Sequence, residues 1–188
     1  LLFVFTLGKV MIISIHQPAF MPWYPFFKKI EQADLFIIQQ NCQFERRGYQ
    51  NRFNINGNWY TMSVKKAKVN IPICKVQYNN PFDDWKKIKR QLPLYKDKLE
   101  CFDHFISDSL ALTNKSIITS ICNQLDIKTK IIEDYETPLL SNDRLIKLCK
   151  DNNADTYLAG LGSKSYMNLN LFSKNGIKVI FQDKLERK

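Results

Sequence analysis

The sequence predicts a single α/β domain with a mostly parallel, Rossmann-like sheet, flanked by helices and carrying an inserted β-hairpin. Short β-branched segments alternate with amphipathic helical patterns along most of the chain, an order typical of parallel sheets joined by right-handed crossovers. The pair Asn56-Gly57 stands between two alternating segments and indicates a hairpin turn. A length of 188 residues suits one such domain with a sizeable core.

The first predicted unit is a strand, a helix and a second strand. Residues 12–15 and 35–38 are short apolar segments, and each predicts a buried strand. Between them, apolar residues recur at helical spacing from Trp23 onward and predict an amphipathic helix. The polar face of this helix is expected to place Lys28 and Lys29 in water.

The middle of the chain is predicted to hold the hairpin, a further strand and a basic amphipathic helix. The hairpin strands are residues 52–55 and 59–64, and the further strand is residues 73–77. The helix begins near Phe82 and ends at Pro93. A basic amphipathic helix can bind a membrane or nucleic acid. More often it is a helix of the domain whose basic face is simply in contact with water, and this interpretation is preferred.

The second half continues the alternation of helices and strands. Strands are predicted at residues 129–132, 155–159 and 177–181. Helices are predicted to begin near Asn114, at the capping residue Ser141, and directly after the glycine turn at residues 160–163. The last of these helices is expected to carry Lys164 and Tyr166.

Composition indicates the compartment and the class of partner. Five scattered cysteines without a C-x-x-C pair, together with two histidines, argue against a metal site and favour a reducing cytoplasm. The formal charge of +10 is spread along the chain without a long basic block, which favours ordinary solvated faces, with local phosphate contacts as the second interpretation and nucleic acid as an unlikely partner. Residues 1–10 are too short for a membrane span and precede Met11. They are expected to be an upstream or non-native leader, with the domain at residues 11–188.

Three groups of polar residues are candidates for a functional site. His16 and Gln17 follow the first strand, at the edge where parallel sheets bind their ligands. Lys164 and Tyr166 follow the glycine turn, whose backbone amides can face an anion. The third group precedes and enters the hairpin, and it comprises Gln43, Arg46, Arg47, Gln50, Asn51 and Arg52. Arginines with side-chain amides suit a phosphate or a sugar, although an ordinary polar loop is an equal alternative.

Several blocks of the chain resemble the WbqC-like protein family. They are IHQPAFMPWYPFFKKIEQADLFI, CQFERRGYQNR, NDRLIKLCK, TYLAGLGSKSYMN and GIKVIFQ, in family order from Met11 to about Gln182. The resemblance implies an N-acyltransferase acting on the amino group of a nucleotide-activated amino sugar. It places the reaction in bacterial O-antigen, lipopolysaccharide or other surface-polysaccharide biosynthesis, with acyl-CoA as the acyl donor and no metal.

Position by position, the resemblance places the family's site residues on all three groups. In the implied reaction His16 takes the proton of the sugar amine, and Gln17, Asn51 or a backbone amide donates to the oxyanion. The arginines and Lys164 hold the diphosphate of the nucleotide sugar or of coenzyme A. Where relatives carry acidic residues before the Q-F element, this chain has Gln40-Asn41. Relatives also tend to continue beyond the last strand, so a chain shortened at its C-terminus is expected.

Two other interpretations stay open. A strand–histidine–proline–helix–strand unit is also typical of nucleotidyltransferases, although the second histidine of their H-x-G-H motif is missing. The second interpretation is that the chain is a non-catalytic module, which binds nucleic acid or a polysaccharide enzyme through its basic surface. Whichever function applies, the predicted fold leaves apolar surface uncovered after the last strand. Exposed apolar surface promotes association, so we expect a homo-oligomer.

Overall fold

The computed structural model describes residues 10–66 and 70–183, and it confirms the predicted α/β domain. The sheet strands are β1 (Ile12–His16), β2 (Leu35–Ile38), β5 (Lys130–Glu133), β6 (Thr156–Ala159) and β7 (Lys178–Phe181). The hairpin strands are β3 (Arg52–Ile55) and β4 (Asn58–Thr61). The helices are α1 (Tyr24–Glu31), α2 (Pro81–Gln91), α3 (Lys96–Glu100), α4 (Leu110–Gln124), α5 (Ser141–Asp151) and α6 (Leu169–Lys174).

The sheet is parallel throughout, in the order β5-β2-β1-β6-β7. The chain first builds outward from β1 through β2 to β5, then returns to the other side of β1 and continues through β6 to β7. The direction of building therefore reverses between β1 and β6. In open α/β sheets this reversal leaves a crevice beyond the carboxyl ends of the two strands, which is where ligands bind.

Apolar side chains from alternate strand positions pack on both faces of the sheet. Leu35 and Ile37 of β2 belong to a core with α5 and α6, whereas Phe36 and Ile38 belong to a core with α1 and α4. A third core lies beneath the hairpin and α2, around the buried ring of Phe20. The segment that follows β1 is thus anchored between the sheet and the hairpin.

The hairpin has the predicted turn. Asn56 and Gly57 both have positive φ angles, 50° and 85°, as a two-residue turn between twisted strands requires. The second strand ends at Thr61 and does not extend to residue 64.

Three local predictions were wrong. Ser141 does not cap α5, because the helix begins at Ser141 itself, with Leu140 at the N-cap and no capping hydrogen bond from a side chain. Residues 73–77 do not form a strand, because Ile73–Lys75 is a turn of 3-10 helix that buries Ile73 and Val76, three residues apart. The glycine turn leads into a second 3-10 segment, Leu161–Ser163, and not directly into a helix. Helix α6 begins only after Asn168, whose side chain accepts a hydrogen bond from the backbone N–H of Leu171 at 3.2 Å. Lys164 and Tyr166 therefore lie in a loop.

Apart from Val10, the predicted leader lies outside the described residues. Among residues 10–66 and 70–183, no helix is both long enough and apolar enough to cross a membrane.

Candidate active site

A cavity of about 380 Å³ opens at the reversal point of the sheet. We call it the switch-point cavity. Its walls come from the ends of β1 and β6, from α1, from the glycine turn and from the chain after β7. The lining residues are Ile15, His16, Trp23, Pro25, Phe26, Lys29, Tyr157, Gly160, Leu161, Gly162, Ser163, Tyr166, Gln182 and Asp183. The cavity thus occupies the position at which the sheet topology predicts a ligand.

Hydrogen bonds fix the loop that forms one wall of this cavity. Asn114, fully buried on α4, donates to the carbonyl oxygens of Pro18 and Gln50 at 3.0 and 2.7 Å. The backbone N–H of Phe20 donates to the carbonyl of Tyr49 at 2.8 Å. These bonds join the loop after β1 to the segment before the hairpin, so the geometry of the cavity wall depends on both.

His16 lies half-buried at the carboxyl end of β1, with its ring edge-on to Phe26 at 5.0 Å. Its Nδ1 atom lies 2.8 Å from the carbonyl oxygen of Gln17, which only accepts hydrogen bonds. Nδ1 therefore carries the proton, and Nε2 keeps its lone pair. Burial, followed by the nearby charge of Lys29, lowers the pKa of His16 to about 3, against a smaller raising effect of the Gln17 carbonyl. The imidazole is neutral at pH 7.

Lys29 is a cavity residue that the sequence prediction missed. It was expected to face water, but its side chain is buried, with 3% of the residue exposed. Its Nζ atom donates to the carbonyl oxygen of Ile15 at 3.3 Å, and no carboxylate of the described residues is within ion-pair distance. Burial lowers the pKa of Lys29 to about 7. The sequence does contain a signal for this burial, because Lys29 stands three residues after Phe26 and four before Ala33, on the apolar face of the helix.

A second cavity of about 300 Å³ lies beside the hairpin, and we call it the hairpin cavity. It is lined by Phe44, Arg46, Arg47, Asn51, Arg52, Thr61, Val64, Lys65 and Lys66. Of these described lining residues, five are cations and none is an acid. The guanidinium of Arg52 donates to the carbonyls of Gly48 and Arg47, which fixes its position. Such a cavity is suited to an anion with several oxygen atoms.

The predicted site residues divide between these two cavities. His16 and Tyr166 line the first, whereas the three arginines and Asn51 line the second. The amide of Asn51 donates to the carbonyl of Met62 at 2.7 Å and so holds the hairpin. Lys164 is exposed near the first cavity, with Nζ 5.8 Å from the centroid of the Phe181 ring.

The remaining predicted residues line neither cavity. Gln50 donates through Nε2 to Oε1 of Gln17 at 2.6 Å, so these two side chains connect the two loops. Gln43 is exposed and forms an isolated backbone bridge with Pro72.

The Gln40-Asn41 pair also has a structural role. Its two backbone N–H groups and the side chain of Asn41 bind the buried carboxylate of Asp134, which is itself paired with Arg144 at 2.5 Å. These residues join the ends of β2 and β5, away from the walls of both cavities.

Three exposed aromatic rings connect the two cavities, and we call them the aromatic strip: Trp23, Tyr49 and Trp59. Their ring centroids are 5.2 Å apart for Trp23 and Tyr49 and 5.3 Å apart for Tyr49 and Trp59. The guanidinium carbon of Arg52 lies 3.9 Å from the Trp59 ring. Because Trp23 lines the first cavity and Arg52 the second, the strip is continuous from one to the other. Exposed rings of this kind stack on nucleobases.

Comparison with known proteins agrees with the resemblance noted in the sequence. Residues 17–187 match the model of the WbqC-like protein family. The chain is also similar to the uncharacterized protein Rv1507c of Mycobacterium tuberculosis, with 26% identity over 190 residues that cover 91% of this chain and 81% of the relative. No solved structure matches the chain.

Proposed function

Because the chain belongs to the WbqC-like protein family, we propose that it is an N-acyltransferase that acts on a nucleotide-activated amino sugar. The acceptor is the amino group of the sugar, the donor is an acyl-CoA, and the product enters surface-polysaccharide biosynthesis in the cytoplasm. The observation that supports this proposal is the pairing of two cavities, one with two basic groups whose pKa values are lowered by burial and one with five cations. The first suits removal of a proton from an amine, and the second suits a diphosphate.

In the proposed reaction the amine attacks the thioester carbonyl in the switch-point cavity. A C–N bond forms and the C–S bond breaks, and one proton of the amine passes by way of a base in the cavity to the departing thiolate, which leaves as free CoA. His16 accepts a hydrogen bond from the amine through Nε2, and the Gln17 carbonyl holds the tautomer that makes this possible. Of the three predicted kinds of oxyanion donor, we favour a backbone amide of the glycine turn, since this turn lines the cavity while Gln17 does not.

The nucleotide portion of the substrate is assigned to the hairpin side. Its base stacks on Trp59, at the hairpin end of the aromatic strip, and its diphosphate is held by the arginines of the hairpin cavity, where Arg forms paired hydrogen bonds with phosphate oxygens. The successive separations of 5.2, 5.3 and 3.9 Å connect Trp23, Tyr49, Trp59 and Arg52 in one path. The sugar, which is joined to the outer phosphate, runs along Tyr49 and Trp23 and brings its amino group to the mouth of the switch-point cavity, with Tyr166 on another wall and Lys164 nearby.

A second candidate function is nucleotide binding without acyl transfer. The sheet order favours it, since the same reversal point serves nucleotide-binding proteins of many activities. This candidate predicts binding of nucleotides without any covalent product.

Incubation of the purified protein with a panel of nucleotide amino sugars and acyl-CoAs tests the proposal. Mass spectrometry should detect an acylated sugar nucleotide, and a thiol reagent should detect an equal amount of free CoA. The Lys174→Gln variant, changed at an exposed lysine on α6 remote from both cavities, serves as the matched control and should be as active as wild type. Nucleotide-sugar binding by calorimetry without an acylated product from any pair would instead support the second candidate.

A further inference from the structure

An amine without a counter-ion is buried at the wall of the switch-point cavity. Lysine side chains are almost never fully buried unless they are paired with an acid. Lys29 is 3% exposed, and its hydrogen bond among the described residues is the one to the Ile15 carbonyl. The ring centroid of Phe36 lies 6.0 Å from Nζ, at the outer limit of a cation–π contact, so the ring compensates little for the lost hydration. This environment favours the uncharged form of the amine.

The other titratable groups of the cavity do not supply the missing negative charge. His16 of β1 is neutral, and burial raises the pKa of Tyr157 of β6, so that its phenol is also neutral. Tyr166 is exposed in the loop after β6, and Asp183, exposed after β7, forms no ion pair with Lys29. No acid of the described residues therefore holds Lys29 in its charged form.

We propose that Lys29 is a catalytic residue of this cavity and that its uncharged amine, and not the His16 ring, accepts the proton released by the attacking sugar amine. This inference rests on the proposed acyl transfer. It follows from three structural facts: Lys29 lines the cavity, it is desolvated, and it has no acid partner among the described residues. A proton acceptor works best when its pKa is near the working pH. The pKa of Lys29, about 7, meets this condition, whereas that of His16, about 3, does not.

The proton balance of the reaction is complete with this assignment. The sugar amine attacks the thioester carbonyl, the new C–N bond forms and one N–H proton passes to Nζ of Lys29. The C–S bond then breaks, and the Lys29 ammonium donates the proton to the departing thiolate. Lys29 begins and ends the cycle as a neutral amine, and no further reactant is needed.

Two substitutions at position 29 and one at position 28 test the inference. Lys29→Met keeps the length and removes the base, while Lys29→Arg introduces a permanent cation that cannot lose a proton at accessible pH. Lys28→Met is the matched control, because Lys28 lies on the exposed side of the same helix and is paired with Glu31. The rate of single-turnover acyl transfer at saturating substrates should fall roughly 10²–10⁴-fold in both position-29 variants and remain unchanged in Lys28→Met.

The pH dependence and a direct titration give independent readouts. In wild type the single-turnover rate should rise through about pH 7, the pKa of Lys29, and this rise should be absent from Lys29→Met. NMR of lysine-labelled protein should show one Nζ group that titrates near neutrality and is missing in the Lys29→Met spectrum.

These experiments distinguish an error in the role of Lys29 from an error in the proposed function. An active enzyme in which Lys29→Met retains the wild-type rate, or in which every lysine titrates near its usual pKa, overturns the role of Lys29 alone. Absence of transfer by the wild-type chain with every donor and acceptor overturns the proposed function, and with it the reaction assigned to Lys29.

Discussion

The two cavities contain the same kind of side chain in two different physical states. In the switch-point cavity Lys29 is buried without an acid partner, and its pKa falls to about 7. In the hairpin cavity Lys65 and Lys66 are exposed to water beside three arginines. Burial thus turns one cation into a base, while exposure leaves the others as anion-binding groups. Position in the fold, and not residue type, assigns chemistry to one cavity and binding to the other.

The largest expected effect concerns His16, which separates orientation of the amine from transfer of its proton. His16→Asn places an amide N–H where Nδ1 donates to the Gln17 carbonyl but leaves nothing at the Nε2 position. Turnover should therefore fall by roughly 10²-fold with substrate affinity unchanged, because the attacking amine loses the hydrogen-bond acceptor that orients it. Single-turnover kinetics together with calorimetric binding measure the two quantities.

His16→Gln is the informative companion of this variant. Its amide restores a hydrogen-bond acceptor close to the Nε2 position but cannot take a proton at neutral pH. If Lys29 is the proton acceptor, His16→Gln should recover part of the lost rate. A rate as low as that of His16→Asn would return the proton-accepting role to His16, as the sequence prediction had it.

The second prediction concerns the stability of the fold. Replacing a buried lysine should lower the free energy of unfolding if the lysine holds the fold together, and raise it if the lysine is kept for catalysis. Both His16 and Lys29 have lower pKa values in the folded chain than the ordinary 6.5 and 10.5. The unfolded chain consequently binds more protons, so the free energy of unfolding should rise with pH, from about 3 to 6.5 for His16 and from about 7 to 10.5 for Lys29. Lys29→Met should remove the second rise.

At pH 7 the same variant should be more stable than wild type by up to about 5 kcal/mol, since the pKa of Lys29 falls from 10.5 to about 7 and one pKa unit corresponds to about 1.4 kcal/mol. Chemical denaturation at several pH values measures this, with Lys28→Met as the control that should change little. A loss of stability in Lys29→Met would mean that the buried amine holds the fold together, and the contrast between the two cavities would disappear.

The sequence predicted the fold well because its signals are local and repeated. Every strand of the parallel sheet is a short apolar segment followed or preceded by a helical period, and the Asn56-Gly57 turn identifies the hairpin. The error at residues 73–77 arose because an apolar segment of that length is compatible with a strand or with a single helical turn. There the buried residues Ile73 and Val76 have a spacing of three, which selects the turn.

The site was less predictable, because its shape depends on tertiary packing. The sequence identified His16 and the arginines as groups of a single functional site, whereas the structure separates them into two cavities. Lys29 was missed since lysine on an amphipathic helix is normally solvated, and only the tertiary structure shows that its side chain is desolvated. The aromatic strip was also missed, because Trp23, Tyr49 and Trp59 come from three separate segments.

The third effect tests the binding side of the comparison. Replacement of both Arg46 and Arg47 by Gln should weaken binding of a nucleotide sugar by about 10–100-fold, since hydrogen bonds to charged groups contribute about 1.5–3 kcal/mol each when buried and less when exposed. The rate at saturating substrate should not change, because neither residue lines the switch-point cavity. Calorimetry at two salt concentrations measures the affinity, and its salt dependence should weaken in the variant. A lower saturating rate with unchanged affinity would contradict the assignment of binding to the hairpin cavity and of chemistry to the switch-point cavity.

The smallest effect concerns the strip between the two cavities. Trp59→Ala should weaken nucleotide binding about fivefold, at the low end of the range for stacking of a base on an aromatic ring, because the Trp59 ring is 44% exposed. Trp59→Phe, which keeps a ring, should retain most of the affinity. The fold should be unaffected, since Trp59 lies opposite the exposed Asn54 in the hairpin.

Trp59 also contacts the guanidinium of Arg52, so the same loss of affinity has two physical explanations. Inorganic pyrophosphate separates them, because it has no base to stack but needs the same cations. If Trp59→Ala weakens the nucleotide and leaves pyrophosphate binding unchanged, the ring stacks on the base. Equal losses for both ligands would mean that Trp59 acts by holding Arg52 in place, and the base would then have to bind elsewhere on the hairpin.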